Sequence, residues 1–127
     1  MLISEGSYAK SSSYQATSTS LPALGNNEVA VYNTKYTVFK VSKVNGIRVA
    51  NCNNTQTCAA ARTPKKSQKT AKYSGSPASQ FCSEQSGNNV IAYDFKKNEI
   101  NLCEFSDGSL AYAWDMYRKA YPKSQIQ

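Results

Sequence analysis

Four cysteines, at positions 52, 58, 82 and 103, constrain this chain more than any other feature. An even number of them in a short sequence rich in Ser, Thr and Asn is the mark of a disulfide framework in an oxidising compartment. Five residues separate Cys52 from Cys58 and twenty separate Cys82 from Cys103. These spacings fit none of the short zinc knuckles, so disulfides are expected and a metal is not. Staples matter here because the core is modest: only 40% of the 127 residues are hydrophobic. A chain of this size buries roughly two-thirds of its surface on folding, which leaves little surplus without cross-links or a partner.

The same sequence narrows the chemistry. There is no histidine, which removes hydrolases built on a histidine base and histidine metal sites. Glu84, Asp94, Glu99, Glu104, Asp107 and Asp115 could supply paired carboxylates, but their strand and turn positions read as solvated surface. Asp107, before Gly108, reads as a turn residue. Phe81 and Trp114 are expected in the core. Binding or structure is therefore expected before catalysis, with no cofactor. No apolar run reaches the length of a membrane span, and Met1-Leu2-Ile3 followed by Ser4-Glu5-Gly6 lacks the pattern of a signal peptide.

Along the chain the composition changes several times. Residues 1–27 hold seven serines and two threonines without helical or strand period. They read as an extended arm that cannot bury enough to offset the entropy of ordering it. Tyr8, Tyr14, Leu21 and Leu24 are its candidate anchors on a neighbouring subunit. Residues 28–60 alternate in the period of a strand, with Val29 and Val31, then Thr37, Phe39 and Val41. Asn45-Gly46 supplies the two positive φ angles of a tight hairpin turn, pairing about 36–44 with 47–51. Cys52 and Cys58 flank a turn-forming stretch that a local disulfide could close. Lys35, Lys40, Lys43 and Arg48 would guard the open edges of so small a sheet.

Residues 61–75 form a basic linker carrying Arg62, Lys65, Lys66, Lys69 and Lys72, broken by Pro64 and Gly75. Up to residue 75 the net charge is +8 and beyond it −1, a contrast that suggests two units in different surroundings. Residues 76–121 are the most legible part. Ser76-Pro77-Ala78-Ser79 carries the cap and first-turn proline of a helix start, with Gly87 as its stop. Two short strands, Asn89 to Phe95 and Glu99 to Phe105, follow as a hairpin. A second helix over about 109–120 would align Leu110, Ala113, Trp114 and Tyr117 on one face. Residues 122–127 remain as a tail. The expected class is α+β: an arm, a small antiparallel sheet and a helix-strand-strand-helix module.

The motifs of that module, Pro77-Ala78-Ser79 with Cys82 three residues on, Gly87, Cys103 before Phe105-Ser106-Asp107-Gly108-Ser109, and Trp114, resemble a small bacterial domain of unknown function that commonly carries a haemolysin label. The likeness spans about 45 residues and makes Pro77, Ser79, Asp107, Gly108 and Trp114 its fold motif. Members often carry two further cysteines where this chain has Ala111 and Tyr121, so the resemblance implies Cys82 with Cys103 as the remaining bridge. Ser76 stands for the family's asparagine and Ser86 for the first of two glycines. Family members are typically exported envelope proteins or lipoproteins, which implies an envelope location and no particular activity.

The expected function is that of a non-enzymatic, structural or accessory subunit of an envelope assembly, of the secretion-system or outer-membrane core complex kind, exported to the periplasm or outer membrane. Its partners would be other protein subunits, with peptidoglycan or an anionic surface met through the basic linker. Nucleic-acid binding is the chief alternative, because Tyr73 stands beside the linker's cations, but an exported location argues against it. A pore is disfavoured by the shortness of the helices, and a protease inhibitor by the absence of a basic or aromatic tip in the 53–57 loop.

Overall fold

The computed structural model describes residues 13–15, 20–62, 64–65 and 75–122, the first three as backbone only. Strand β1 is Ser13–Gln15, β2 Glu28–Asn33, β3 Lys35–Val44 and β4 Ile47–Ala50, followed by a 3-10 turn at Ala59–Ala61. Helix α1 is Pro77–Glu84, then come β5 Asn88–Tyr93, β6 Glu99–Glu104, β7 Leu110–Tyr112 and helix α2 Ala113–Ala120. All strand pairs are antiparallel. The order β3-β2-β5-β6-β7-β4 is closed by a β3–β4 pairing, so six strands form a barrel and β1 lies on β3 outside it. The class is α+β.

The chain does not divide as its composition suggests. One sheet runs through 28–60 and 76–121, because Ala30 and Val31 of β2 pair with Tyr93 and Ala92 of β5, and Val49 and Ala50 of β4 pair with Ala111 and Leu110 of β7. The edges that Lys35, Lys40, Lys43 and Arg48 were expected to guard are joined into the barrel. Closure wins because each three-stranded half would otherwise leave unpaired backbone on both sides. Ser13–Gln15, expected as irregular arm, pairs with Thr37–Phe39 of its own chain, Tyr14 opposite Val38. Leu21 and Leu24 are half-buried, and Tyr8 lies outside the described residues.

The alternation along the strands builds two cores. Val29, Ala50, Ala92, Leu102, Leu110 and Tyr112 fill the barrel, with Val31, Phe39, Val41, Val90 and Ile100 packed on them. Ile47, Val49, Cys103 and Ala111 point the other way and meet Phe81, Cys82, Met116 and Ala120 beneath the helices. Both disulfides are formed: Cys52–Cys58 closes the loop after β4, and Cys82–Cys103 fastens α1 to β6. Ala111 and Tyr121, where the resemblance places further cysteines, both pack in this outer core.

Local signals explain most of the elements. Asn45 and Gly46 take φ angles of 54° and 83°, as the tight β3–β4 turn requires. Ser76 caps α1, its Oγ accepting from the Ser79 N–H at 3.0 Å, with Pro77 in the first turn. The left-handed residue that ends α1 is Ser86, at φ 67°, rather than Gly87. The N–H groups of Ser86 and Gly87 donate to Ser83 and Cys82, the two bonds of a Schellman end. Gly87 is required for space, because a Cβ there would fall on Cys103 Sγ.

The helix expected over 109–120 is shorter. Leu110–Tyr112 instead forms β7, buried on both faces between β6 and β4. A three-residue strand with two ladders and complete burial outweighs the helical spacing of Leu110. Trp114, expected in the core on that spacing, is 39% exposed, whereas Phe81 is buried with Tyr117 and Tyr121 edge-on to its ring.

Candidate functional site

The turn after β6 is where the two halves of the chain are fastened. Asp107 Oδ1 accepts from the Ser109 N–H at 3.0 Å and the Ser109 hydroxyl at 2.6 Å, while Oδ2 accepts from the Ala59 N–H at 2.8 Å. Ser109 Oγ accepts in turn from the Ala60 N–H, and the Gly108 carbonyl from Asn51 Nδ2, each at 2.9 Å. Partial burial opposes the charge on Asp107, but these hydrogen bonds outweigh it and hold its pKa below the ordinary value. Gly108 sits at φ 87°, which only glycine adopts freely. The Asp-Gly-Ser motif is thus a structural clasp on the loop of the first disulfide.

Near the clasp the barrel is split. The β2–β5 ladder stops after two register pairs, so Tyr32–Asn33 and Asn88–Ile91 diverge. Between them lies a slot of about 490 Å³. Val31, Phe39, Val90 and Leu110 form its apolar floor, and Asn33, Thr37, Asn51, Asn88 and Glu104 its polar rim. Tyr32, 48% exposed, stands at its mouth, its ring 4.9 Å from that of Tyr36.

At the other end of the strands, β7 gives way to α2 at Tyr112, while β6 continues past it to Glu99. The gap is a cleft of about 370 Å³ lined by Arg48, Ile91, Glu99, Tyr112, Trp114 and Arg118, among others. Two of its lining residues, Arg48 and Arg118, hold Asp115, which is 8% exposed, a burial that the surface reading of the acidic residues did not anticipate. Arg48 donates to both carboxylate oxygens, at 2.8 and 2.9 Å, and its backbone N–H donates to Oδ2 at 2.9 Å. Arg118 donates to Oδ1 at 3.2 Å. Burial alone would raise the Asp115 pKa, yet these bonds and the two guanidinium charges lower it. The bonds to Asp115 raise the pKa of Arg48 more than burial lowers it. The Arg48 guanidinium lies 4.2 Å from the centre of the Tyr112 ring. Burial raises the Tyr112 pKa against the charge of Arg48.

The remaining candidates are more scattered. Arg62 and Lys65 are exposed, and Gln85 ties the start of the linker to α1 by donating to the Lys65 carbonyl at 2.6 Å. Lys66, Lys69 and Lys72 lie outside the described residues. Ser79 joins α1 to the sheet, its carbonyl accepting from Asn89 at 3.0 Å and its Oγ from Asn101 at 2.7 Å. No three metal-ligating side chains come together among the described residues. Sequence reasoning missed both the slot and the Arg48–Asp115 pair, because each depends on a strand crossing from one half of the chain to the other. An isolated Arg on a strand and an isolated Asp on a helix carry no sign of one another.

With four cysteines in two disulfides, the chain suits an oxidising, exported setting. No helix among the described residues is long and apolar enough to cross a membrane. No curated protein and no solved structure matches the sequence. A family model does: residues 74–120, which carry α1, α2 and three of the six barrel strands, match the domain of unknown function DUF333.

Proposed function

We propose that this protein is a non-enzymatic structural or accessory subunit of a bacterial envelope assembly, in the periplasm or at the outer membrane, of the secretion-system or outer-membrane core complex kind. The slot between β2 and β5 is the surface by which it holds a neighbouring subunit. The observation that carries this reading is the early end of the β2–β5 ladder over an apolar floor. Diverging strands leave backbone groups for an added strand, and alternate side chains of an extended segment could enter the floor while the others meet Tyr32. The disulfides support an exported, oxidising setting.

The test is affinity isolation of the tagged chain from a mildly solubilised envelope of its host, with mass spectrometry of what co-purifies. A fixed-ratio set of envelope proteins, lost on Val90→Glu, is the expected result. Recovery of the chain alone would discard the reading. So would nucleic acid released at moderate salt, which would bring the basic linker forward instead.

A further inference from the structure

The end of the barrel opposite the slot gathers cations and exposed apolar side chains. Lys43 and Arg48 are directly opposed across the β3–β4 hairpin. Lys96 and Lys97 occupy the β5–β6 turn at the same end, and Arg118 and Lys119 the exposed side of α2. The Lys119 ammonium reaches the β3–β4 turn, 3.9 Å from where a Cβ on Gly46 would stand. The acidic groups here are Glu28, Asp94, Glu99 and Asp115, against six cations; Glu28 stands opposite Lys40 and accepts from the Gly25 N–H at 2.7 Å. Asp94 is engaged by the N–H groups of its own turn, at 2.9 Å from Lys96 and 2.8 Å from Asn98, and Asp115 is buried under Arg48. The end is therefore positive where it meets solvent.

Of the four exposed large apolar side chains among the described residues, three lie here: Ile91, Phe95 and Trp114, at 47%, 45% and 39%. Phe95 projects from the turn with the Lys96 ammonium 5.6 Å from its ring centre, and Trp114 has the Arg118 guanidinium 6.0 Å from its own. Exposed rings held beside cations, on one end of a rigid body, fit an interface that is apolar beneath and anionic above. A protein partner would need an acidic surface with a pocket shaped for Phe95, whereas a bilayer supplies negative charge and an apolar layer together.

We propose that this end of the barrel lies against an anionic lipid bilayer, with Phe95 and Trp114 at headgroup depth and Lys43, Lys96, Lys97, Arg118 and Lys119 facing the headgroups. The slot then faces away from the membrane, free for another protein, and the two surfaces are separately testable. The binding is peripheral and salt-sensitive, because the charges lie outside the apolar contact.

Trp114 is the chain's one tryptophan, so its emission reports directly on this end. The full chain is titrated with phosphatidylcholine vesicles and with vesicles containing roughly one-third phosphatidylglycerol. The expected result is a blue shift and quenching by bromine-labelled acyl chains on the anionic vesicles only, with affinity at least about tenfold above neutral vesicles and falling as salt rises. Phe95→Ser combined with Lys96→Glu and Lys97→Glu abolishes the shift, while Arg62→Gln with Lys65→Gln in the linker leaves it. Unmodified protein at high salt loses the shift without any mutation, which guards against a misfolded variant. Equal binding to both vesicle types, no shift on either, loss on the linker variant alone, or binding to duplex DNA in place of vesicles would each overturn the proposal. None of these outcomes bears on what co-purifies through the slot.

Discussion

The two halves of the barrel contribute three strands each, yet they are held by different means. Residues 88–112 come with α1, α2 and a disulfide that pins helix to strand. Residues 28–50 have no helix of their own, carry all four cations on the barrel strands, and close only a short disulfide loop beyond β4. The family match covers the first of these and stops short of the second. The barrel needs both, since its interior is lined by Val29, Val31, Phe39, Val41 and Ala50 from one half and by Val90, Ala92, Ile100, Leu102, Leu110 and Tyr112 from the other. A family boundary in sequence is thus not a boundary in the packed structure: here it passes through a continuous core.

The contrast can be broken most severely by separating the halves. Residues 74–122 expressed alone should show no cooperative urea transition, because β5 and β7 would each lose a ladder and the inner core half its lining. A sharp transition from that fragment would mean that the matched segment is self-sufficient. Next in size is the difference between the disulfides. Replacing Cys82 and Cys103 by serine should cost about 3 kcal/mol and replacing Cys52 and Cys58 about 2 kcal/mol, as the closed loops differ in length. Gly87→Ala should approach the larger value, since its Cβ displaces the same bridge.

A third experiment sharpens the link between the halves. Asp115→Asn should lower stability by about 2 kcal/mol at neutral pH, because it weakens the pair joining β4 to α2. The Asp115 pKa is depressed, so its contribution is complete above the ordinary value of 3.8 and is lost as pH falls through the lower folded value. The stability curves of wild type and variant should therefore converge in acid, and a gap that persists there would assign the effect to packing. The smallest effects are at two left-handed positions, one in each half. Ser86→Gly and Thr34→Gly should each stabilise by roughly 0.5–1 kcal/mol, Thr34 the more because it is β-branched at φ 69°. Differential scanning calorimetry would resolve the pair.

Legibility in the sequence followed the range of the interaction. The β3–β4 turn at Asn45-Gly46, the cap at Ser76 and the local Cys52–Cys58 bridge are governed by neighbours within a few residues, and each was readable. β7 was not, because three residues carry too little pattern and their burial is supplied by β4 some sixty residues away. The same distance hid the barrel: Val29 and Val31 announce a strand, but not that β5 lies beside it. Trp114 misled for a related reason. Its helical spacing from Leu110 is real in sequence, but Leu110 belongs to a strand, so the apolar face of α2 is set instead by Ala113, Met116 and Ala120.

Barrel closure also imposes an order of events on a chain that emerges progressively from a pore. The β2–β3–β4 meander can form as soon as residue 50 is out, but β2 and β4 then wait for partners about sixty residues downstream. Through that interval two strands rich in Val and Ile have unsatisfied sides, the condition under which chains pair with the wrong neighbour. The four cations on β3 and β4, Lys35, Lys40, Lys43 and Arg48, are in place from the start of the wait. Their mutual repulsion between molecules acts as a temporary guard, and it becomes dispensable for this purpose once the last strand arrives and closes the ring.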